Sequence, residues 1–151
     1  MTPSDYPPRS LLYVPGSNAR ALEKAAGLAA DMLIIDLEDA VPADRKAEAR
    51  AAMRAAVVAG YPGKRVAVRI NGTGSAHQAA DINAVAGLAL DAVVLPKVDA
   101  IADLESARGL GLPILAMIET PSAIYAARDI AADPAVAGLI AGLNDLAHEL
   151  K

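Results

Sequence analysis

The chemistry in this 151-residue sequence sits in six short polar clusters, each directly after an apolar run: Pro15-Gly16-Ser17-Asn18, Asp36-Leu37-Glu38-Asp39, Arg69-Ile70-Asn71-Gly72, Pro96-Lys97, Glu119-Thr120 and Gly142-Leu143-Asn144-Asp145. Glu119 and Asp145 are isolated carboxylates after consecutive apolar runs. With no cysteine and two histidines in the chain, such hard oxygens favour Mg²⁺ over zinc. The competing reading has each acid capping the helix that follows it. Asp36, Glu38 and Asp39 crowd three negative charges into four residues, which a cation or donors must offset. They can hold metal-bound waters or pair with Lys97 or Arg69; alternatively Asp39 merely begins a loop and Glu38 faces solvent. Arg69 lies inside an apolar run, where an unpaired guanidinium is costly. It suits bidentate recognition of a carboxylate, a substrate's in preference to that of Asp36. Lys97 carries the same ambiguity.

The Pro15-Gly16-Ser17-Asn18 turn opens a helix, so its amides could meet a phosphate or carboxylate. It is neither the G-x-G-x-x-G fingerprint nor the lysine-bearing phosphate loop. Arg20 and Lys24 add positive charge nearby, or else form a solvated face. Tyr13 reads first as core. His77 and His148 fall in helical stretches away from these clusters and are assigned no chemistry.

The elements that must position these groups alternate. Strands are expected at 11–14, 32–37, 65–70, 92–95, 114–118 and 137–141, with helices at 18–30, 43–59, 75–88, 100–109, 121–132 and 144–150. Ser17 and Ser75 are expected helix caps, Pro121 suits a first turn, and Gly60 ends the second helix. Six strand–helix units imply a parallel sheet, either an open doubly wound sheet or part of a (β/α)₈ barrel. In both, chemistry gathers at the carboxyl ends of the strands, where all six clusters fall.

Composition agrees. Hydrophobic residues make up 54% of the chain and charged residues 21%, too apolar for disorder. About a quarter is alanine, with no phenylalanine or tryptophan, which suits small-faced helices on β-branched strands. A net charge of −4 argues against a nucleic-acid partner. No window reaches the ~20 apolar residues of a membrane span, and the first residues lack a signal-peptide layout. The expectation is a cytoplasmic protein with a flexible segment at 1–8 and one domain at 9–151.

Six blocks together resemble the citrate lyase beta subunit-like branch of the HpcH/HpaI aldolase superfamily. They are Arg9-Ser10-Leu11-Leu12-Tyr13-Val14-Pro15-Gly16; Asp36-Leu37-Glu38-Asp39-Ala40-Val41 with Lys46 and Arg50 beyond; Val68-Arg69-Ile70-Asn71; Leu95-Pro96-Lys97-Val98; Ile118-Glu119-Thr120; and Asn144-Asp145-Leu146. The resemblance implies a (β/α)₈ TIM barrel and Mg²⁺-dependent cleavage of a 3-hydroxy-acyl thioester (citryl-, malyl- or citramalyl-type). The products are a 2-oxo acid and an acetyl-type thioester on coenzyme A or an acyl carrier. It also implies that Glu119 and Asp145 bind the metal, that Arg69 binds the oxo-acid carboxylate, and that Glu38 and Asp39 lie near the metal waters. The thioester's nucleotide part falls near Tyr13, Pro15, Gly16, Arg20 and Lys24. Full-length relatives imply a homo-oligomer, trimer or hexamer.

Two departures stand out. Asn144 occupies a position where many relatives carry an acid. The chain also ends after six βα units, where a closed barrel has eight and about 250 residues. It is therefore expected to be a piece of a longer lyase, with the first and sixth strands as open edges. The alternative is a non-catalytic or incomplete fragment that at best binds Mg²⁺ and a 2-oxo acid, or assembles with a partner chain.

Overall fold

A computed structural model describes residues 7–151. Its elements run in strict alternation: β1 (Leu11–Pro15), α1 (Ala19–Ala25), β2 (Met32–Asp36), α2 (Lys46–Ala59), β3 (Arg65–Arg69), α3 (Gln78–Val85), β4 (Ala92–Leu95), α4 (Glu105–Arg108), β5 (Ile114–Ile118), α5 (Pro121–Ala131), β6 (Val136–Ala141) and α6 (Leu143–Glu149). One-turn 3₁₀ segments at Ala43–Arg45 and Ile101–Leu104 lead into α2 and α4. Most of the expected segment at 1–8 lies outside the described residues.

All strands pair in parallel, in the order β1-β2-β3-β4-β5-β6. A doubly wound sheet reverses its strand order at a switch point. Here nothing reverses, so of the two architectures left open by the sequence the order is that of a barrel wall. Right-handed crossovers all in one direction place every helix on the same face.

Strand alternation then sorts the side chains. Leu33, Ile35, Val66, Val68, Val93, Leu95, Ile114, Ala116 and Ile118 face the helices and meet Leu22, Met53, Val85, Leu104 and Ile130 in the main core. Met32, Ile34, Ala67, Ala92, Val94 and Met117 form a smaller cluster on the opposite face. Continuing the same parity past the last apolar residue puts Asp36, Arg69 and Glu119 on that second face, at the carboxyl end.

Local signals set the boundaries. Asn18, not Ser17, caps α1, its Oδ1 accepting from the Ala21 amide. Ser75 instead accepts from the His77 amide one turn before α3, which shortens that helix against expectation. Thr120 caps α5, with Pro121 in its first turn, and Gly60 closes α2 at φ 84°. Among the described residues no helix is long and apolar enough to cross a membrane.

Candidate active site

The register does the first part of the assembly. Pro15, Asp36 and Arg69 lie side by side at the ends of β1, β2 and β3. Asp36 is 1% exposed and receives four donors. Its Oδ1 accepts from the Glu38 amide and Arg69 Nε, both at 2.8 Å; its Oδ2 accepts from the Ala40 amide at 3.1 Å and Arg69 Nη2 at 2.6 Å. Of the two carboxylates open to Arg69, the structure thus pairs its bidentate edge with Asp36. The third nitrogen, Nη1, faces Glu38 Oε2 at 3.0 Å and Asp39 Oδ2 at 3.7 Å. The Tyr13 ring packs under the guanidinium, 5.1 Å from Cζ to the ring centre, a cation–π contact rather than a purely apolar role. Burial works against the Arg69 charge, yet Asp36, Glu38 and Asp39 hold its pKa above the ordinary value.

Glu38 does not face solvent: it is 7% exposed. Its Oε1 accepts from Lys97 Nζ at 3.2 Å, while the buried Oε2 makes no aligned hydrogen bond and has only the Arg69 charge beside it, Nη1 at 3.0 Å. Burial pushes its carboxyl pKa up, against the opposing pull of Arg69. The three crowded acids are therefore offset by both Arg69 and Lys97, and only Asp39 remains largely exposed.

Glu119 and Asp145 behave differently. The capping position of α5 belongs to Thr120, and no side chain caps α6, so the bland reading of both acids falls away. Glu119 is 3% exposed. Its Oε2 accepts from the Lys97 amide at 3.0 Å, the one protein donor to this carboxyl among the described residues. Burial raises its pKa, and the Asp145 charge adds to that. Both acids line one cleft of about 620 Å³ together with Tyr13, Asp36, Asp39 and Arg69. Four carboxylates against one guanidinium leave the cleft strongly negative. Two acids with oxygens not claimed by protein donors fit a hard divalent cation that keeps several waters. Among the described residues no group of three or more His, Cys, Asp or Glu makes a protein-only cage.

A second layer joins Lys46, Arg50 and Asn71, quoted above only as parts of the family blocks, to Asp81, which the sequence reading did not single out. Lys46 is 7% exposed, and its ammonium donates to the Leu37 and Glu38 carbonyls at 2.6 and 2.7 Å and to Asn71 Oδ1 at 2.9 Å. Asn71 passes the network to the fully buried Asp81, which also accepts from Arg50 Nε at 2.7 Å. Burial lowers the Lys46 pKa, but all three ammonium donors are used. The signal was available: Lys46 shares the buried face of α2 with Ala49, Met53 and Val57.

Not every expected residue reaches the cleft. Lys97 lines an adjoining cavity of about 470 Å³ with Glu38, Asp39, Lys46 and Asn71. His77, expected away from the strand ends, lines that cavity too. Gly16 packs its amide on the Asp36 carbonyl at 2.8 Å; a Cβ there would come within 2.9 Å of that oxygen. Arg20 and Lys24 are exposed on α1, outside both cavities.

The family model for HpcH/HpaI aldolase/citrate lyase matches residues 9–151. A (3S)-malyl-CoA thioesterase of Cereibacter sphaeroides is 47% identical over 148 residues, covering 96% of this chain and 52% of that protein. An L-malyl-CoA/beta-methylmalyl-CoA lyase of the same species is 34% identical over 165 residues, covering 98% and 52%. Among solved structures, a citrate lyase beta subunit from Mycobacterium tuberculosis complexed with oxaloacetate and magnesium superposes with a TM-score of 0.80 at 35% identity, covering 93% of this chain and 60% of that one. The chain spans about half the length of the curated relatives it matches.

Proposed function

Because the chain belongs to the HpcH/HpaI aldolase/citrate lyase family, we propose that it carries the site of a Mg²⁺-dependent carbon–carbon lyase. The reaction splits a 3-hydroxy-acyl thioester into a 2-oxo acid and an acetyl-type thioester. The observation that supports this most directly is one cleft holding Glu119 and Asp145 together with Arg69.

In this reading Glu119 and Asp145 hold the cation. When bound, it supplies Lewis-acid stabilisation of the oxygen that becomes the 2-oxo carbonyl. Arg69 adds a fixed positive charge for the oxo-acid carboxylate and the developing oxyanion. With Asp36 occupying its Nε and Nη2 edge, it meets substrate at Nη1 by taking the place of Glu38 Oε2, 3.0 Å from that nitrogen, and Tyr13 keeps the guanidinium plane in place. Glu38 and Asp39 are the acids near the reacting oxygens. Tyr13 lines the cleft, and Pro15 and Gly16 ahead of α1, with Arg20 and Lys24 on it, would meet the nucleotide part of a coenzyme A or carrier thioester.

The architecture that goes with this activity is a closed barrel. Two further βα units would join β6 to β1, in keeping with the one-directional strand order and the doubled length of the relatives. The whole protein would work as a cytoplasmic homo-oligomer.

The test is cleavage of a malyl-type thioester by the purified chain with and without Mg²⁺, alongside Glu119→Gln and Asp145→Asn. Mg²⁺-dependent release of 2-oxo acid, lost in both variants, is expected; either variant retaining Mg²⁺-dependent oxo-acid binding sinks the metal assignment. No turnover without added polypeptide favours the incomplete-fragment reading. The 47% identity to a thioesterase favours one further reading, hydrolysis at the same site, which would release free coenzyme A and malate rather than a 2-oxo acid.

A further inference from the structure

Lys97 is the one non-glycine residue with positive φ among the described residues, at 54°. An L side chain adopts this left-handed region at an energetic cost and persists there only where its surroundings demand it. The demand can be read from the hydrogen bonds. In an extended strand, consecutive amides point to opposite sides. Here two consecutive amides both turn toward β5: Lys97 N–H donates to Glu119 Oε2 at 3.0 Å, and Val98 N–H donates to the Met117 carbonyl at 3.2 Å. The reversal of the backbone at Lys97 lets β4 serve the Glu119 side chain and then resume contact with β5.

Gly142 packs against the Glu119 carboxyl at Oε1, the oxygen the Lys97 amide does not take. A Cβ on Gly142 would overlap the Glu119 carboxyl, falling 2.8 Å from Cδ and nearer still to Oε1 and Cγ. Gly142 has an ordinary negative φ of −88°, so its lack of a side chain answers a need for space, not for backbone freedom. Its amide, donated to the Ile118 carbonyl at 2.9 Å, locks it beside the end of β5. Asp145 follows in the first turn of α6 and shares the cleft with Glu119.

We infer that the left-handed Lys97 backbone and the bare Cα of Gly142 form a clamp that occupies Glu119 Oε2 and presents Oε1, beside Asp145, to a divalent cation. Lys97 is on this account a positioning residue acting through its amide, and its ammonium belongs to Glu38. The inference rests on the metal reading given above and adds to it the means by which the first ligand is aimed.

The test separates backbone from side chain. Lys97→Gly keeps access to positive φ and removes the ammonium; Lys97→Val removes the ammonium and disfavours positive φ. Mn²⁺ serves as the probe, its affinity followed by electron paramagnetic resonance, and amide spectra check that each variant is folded. Lys97→Gly is expected to bind Mn²⁺ within about threefold of the unaltered chain, whereas Lys97→Val and Gly142→Ala lose about tenfold or more, as displaced ligand supports do. Equal affinity in Lys97→Gly and Lys97→Val overturns the clamp, whether both are retained or both lost. Should the valine variant not fold, Gly142→Ala carries the same test from the other side, and unchanged affinity there overturns it. A second readout needs no metal: Glu119→Gln should move the residue 97 amide resonance well beyond its neighbours, and an unmoved resonance counts against the contact. If instead the unaltered chain binds no Mn²⁺ while that resonance does move, the metal reading fails and the positioning contact stands apart from it.

Discussion

Two acidic regions share the rim of this sheet and are built on opposite plans. At β2 and β3, Asp36 is saturated by four donors and locked to Arg69 through two parallel hydrogen bonds. At β5 and β6, Glu119 has a single protein donor and Asp145 brings like charge to it. A carboxylate whose lone pairs are all claimed is scaffold: it fixes a turn and a guanidinium but has nothing left for a ligand. A buried carboxylate left short of donors, with a second acid nearby, is destabilising alone and becomes favourable once a cation arrives. Donor accounting therefore separates the residues that hold the site from those that use it.

The contrast can be broken most forcefully at Arg69. Arg69→Met leaves the Asp36 carboxyl buried without its main partner, and such disruptions cost about 3–5 kcal/mol. Urea unfolding should register that loss. Asp145→Asn removes one of two like charges and should move stability by less than about 0.5 kcal/mol, while abolishing Mn²⁺ binding. Equal stability losses at the two positions would erase the distinction between the regions.

Strand parity made much of this arrangement legible. The residue two beyond an inward-facing one faces inward again, so Ile34 to Asp36, Ala67 to Arg69 and Met117 to Glu119 are predictable once the open face is known. Strand order was not: a doubly wound sheet and a barrel wall read alike until the sheet is seen to keep sequence order. The partner of Arg69 was equally open, since register between β2 and β3 decides it and no spacing within either strand encodes that register. Lys46 and Asn71 fall in the quoted blocks, but their joining to each other and to Asp81 was not legible, because buried polar networks join elements distant in sequence. Gly142 stands in a quoted cluster, but its role did not show, because a requirement for empty space leaves no chemical mark.

A middle-sized effect is expected at that network. Lys46→Met fits an apolar chain into the same channel but strands Asn71 Oδ1 and takes one donor each from the Leu37 and Glu38 carbonyls, which keep Asn71 Nδ2 and the Val41 amide. Unsatisfied buried acceptors are costly, partly offset by relief of a buried ammonium, giving a net loss of about 2 kcal/mol in chemical unfolding. Arg69 and Asp36 should remain paired, so the Asp36-to-Asp39 turn would loosen without coming apart. A loss as large as that of Arg69→Met would mean that the turn is held by Lys46 rather than by the ion pair.

The smallest effect tests whether geometry or burial makes the difference. Arg9 repeats the forked pattern on Asp31, through Nε and Nη2 at 3.0 Å each, and its own amide adds a third donor at 2.9 Å. Yet the Arg9 side chain is 89% exposed. The Arg9 hydrogen bonds hold the Asp31 carboxyl well down, at about 2. A carboxyl depressed on folding contributes stability that is present above its ordinary value of 3.8 and is lost as pH falls through about 2. Water and salt screen such a pair, so Asp31→Asn should leave stability near neutral pH almost unchanged and flatten the acid limb of the unfolding curve only slightly. If it instead destabilised the chain as much as Arg69→Met, fork geometry alone would account for the strength of the Asp36–Arg69 lock. If it does not, burial is what turns the same fork from a surface contact into the scaffold of the site.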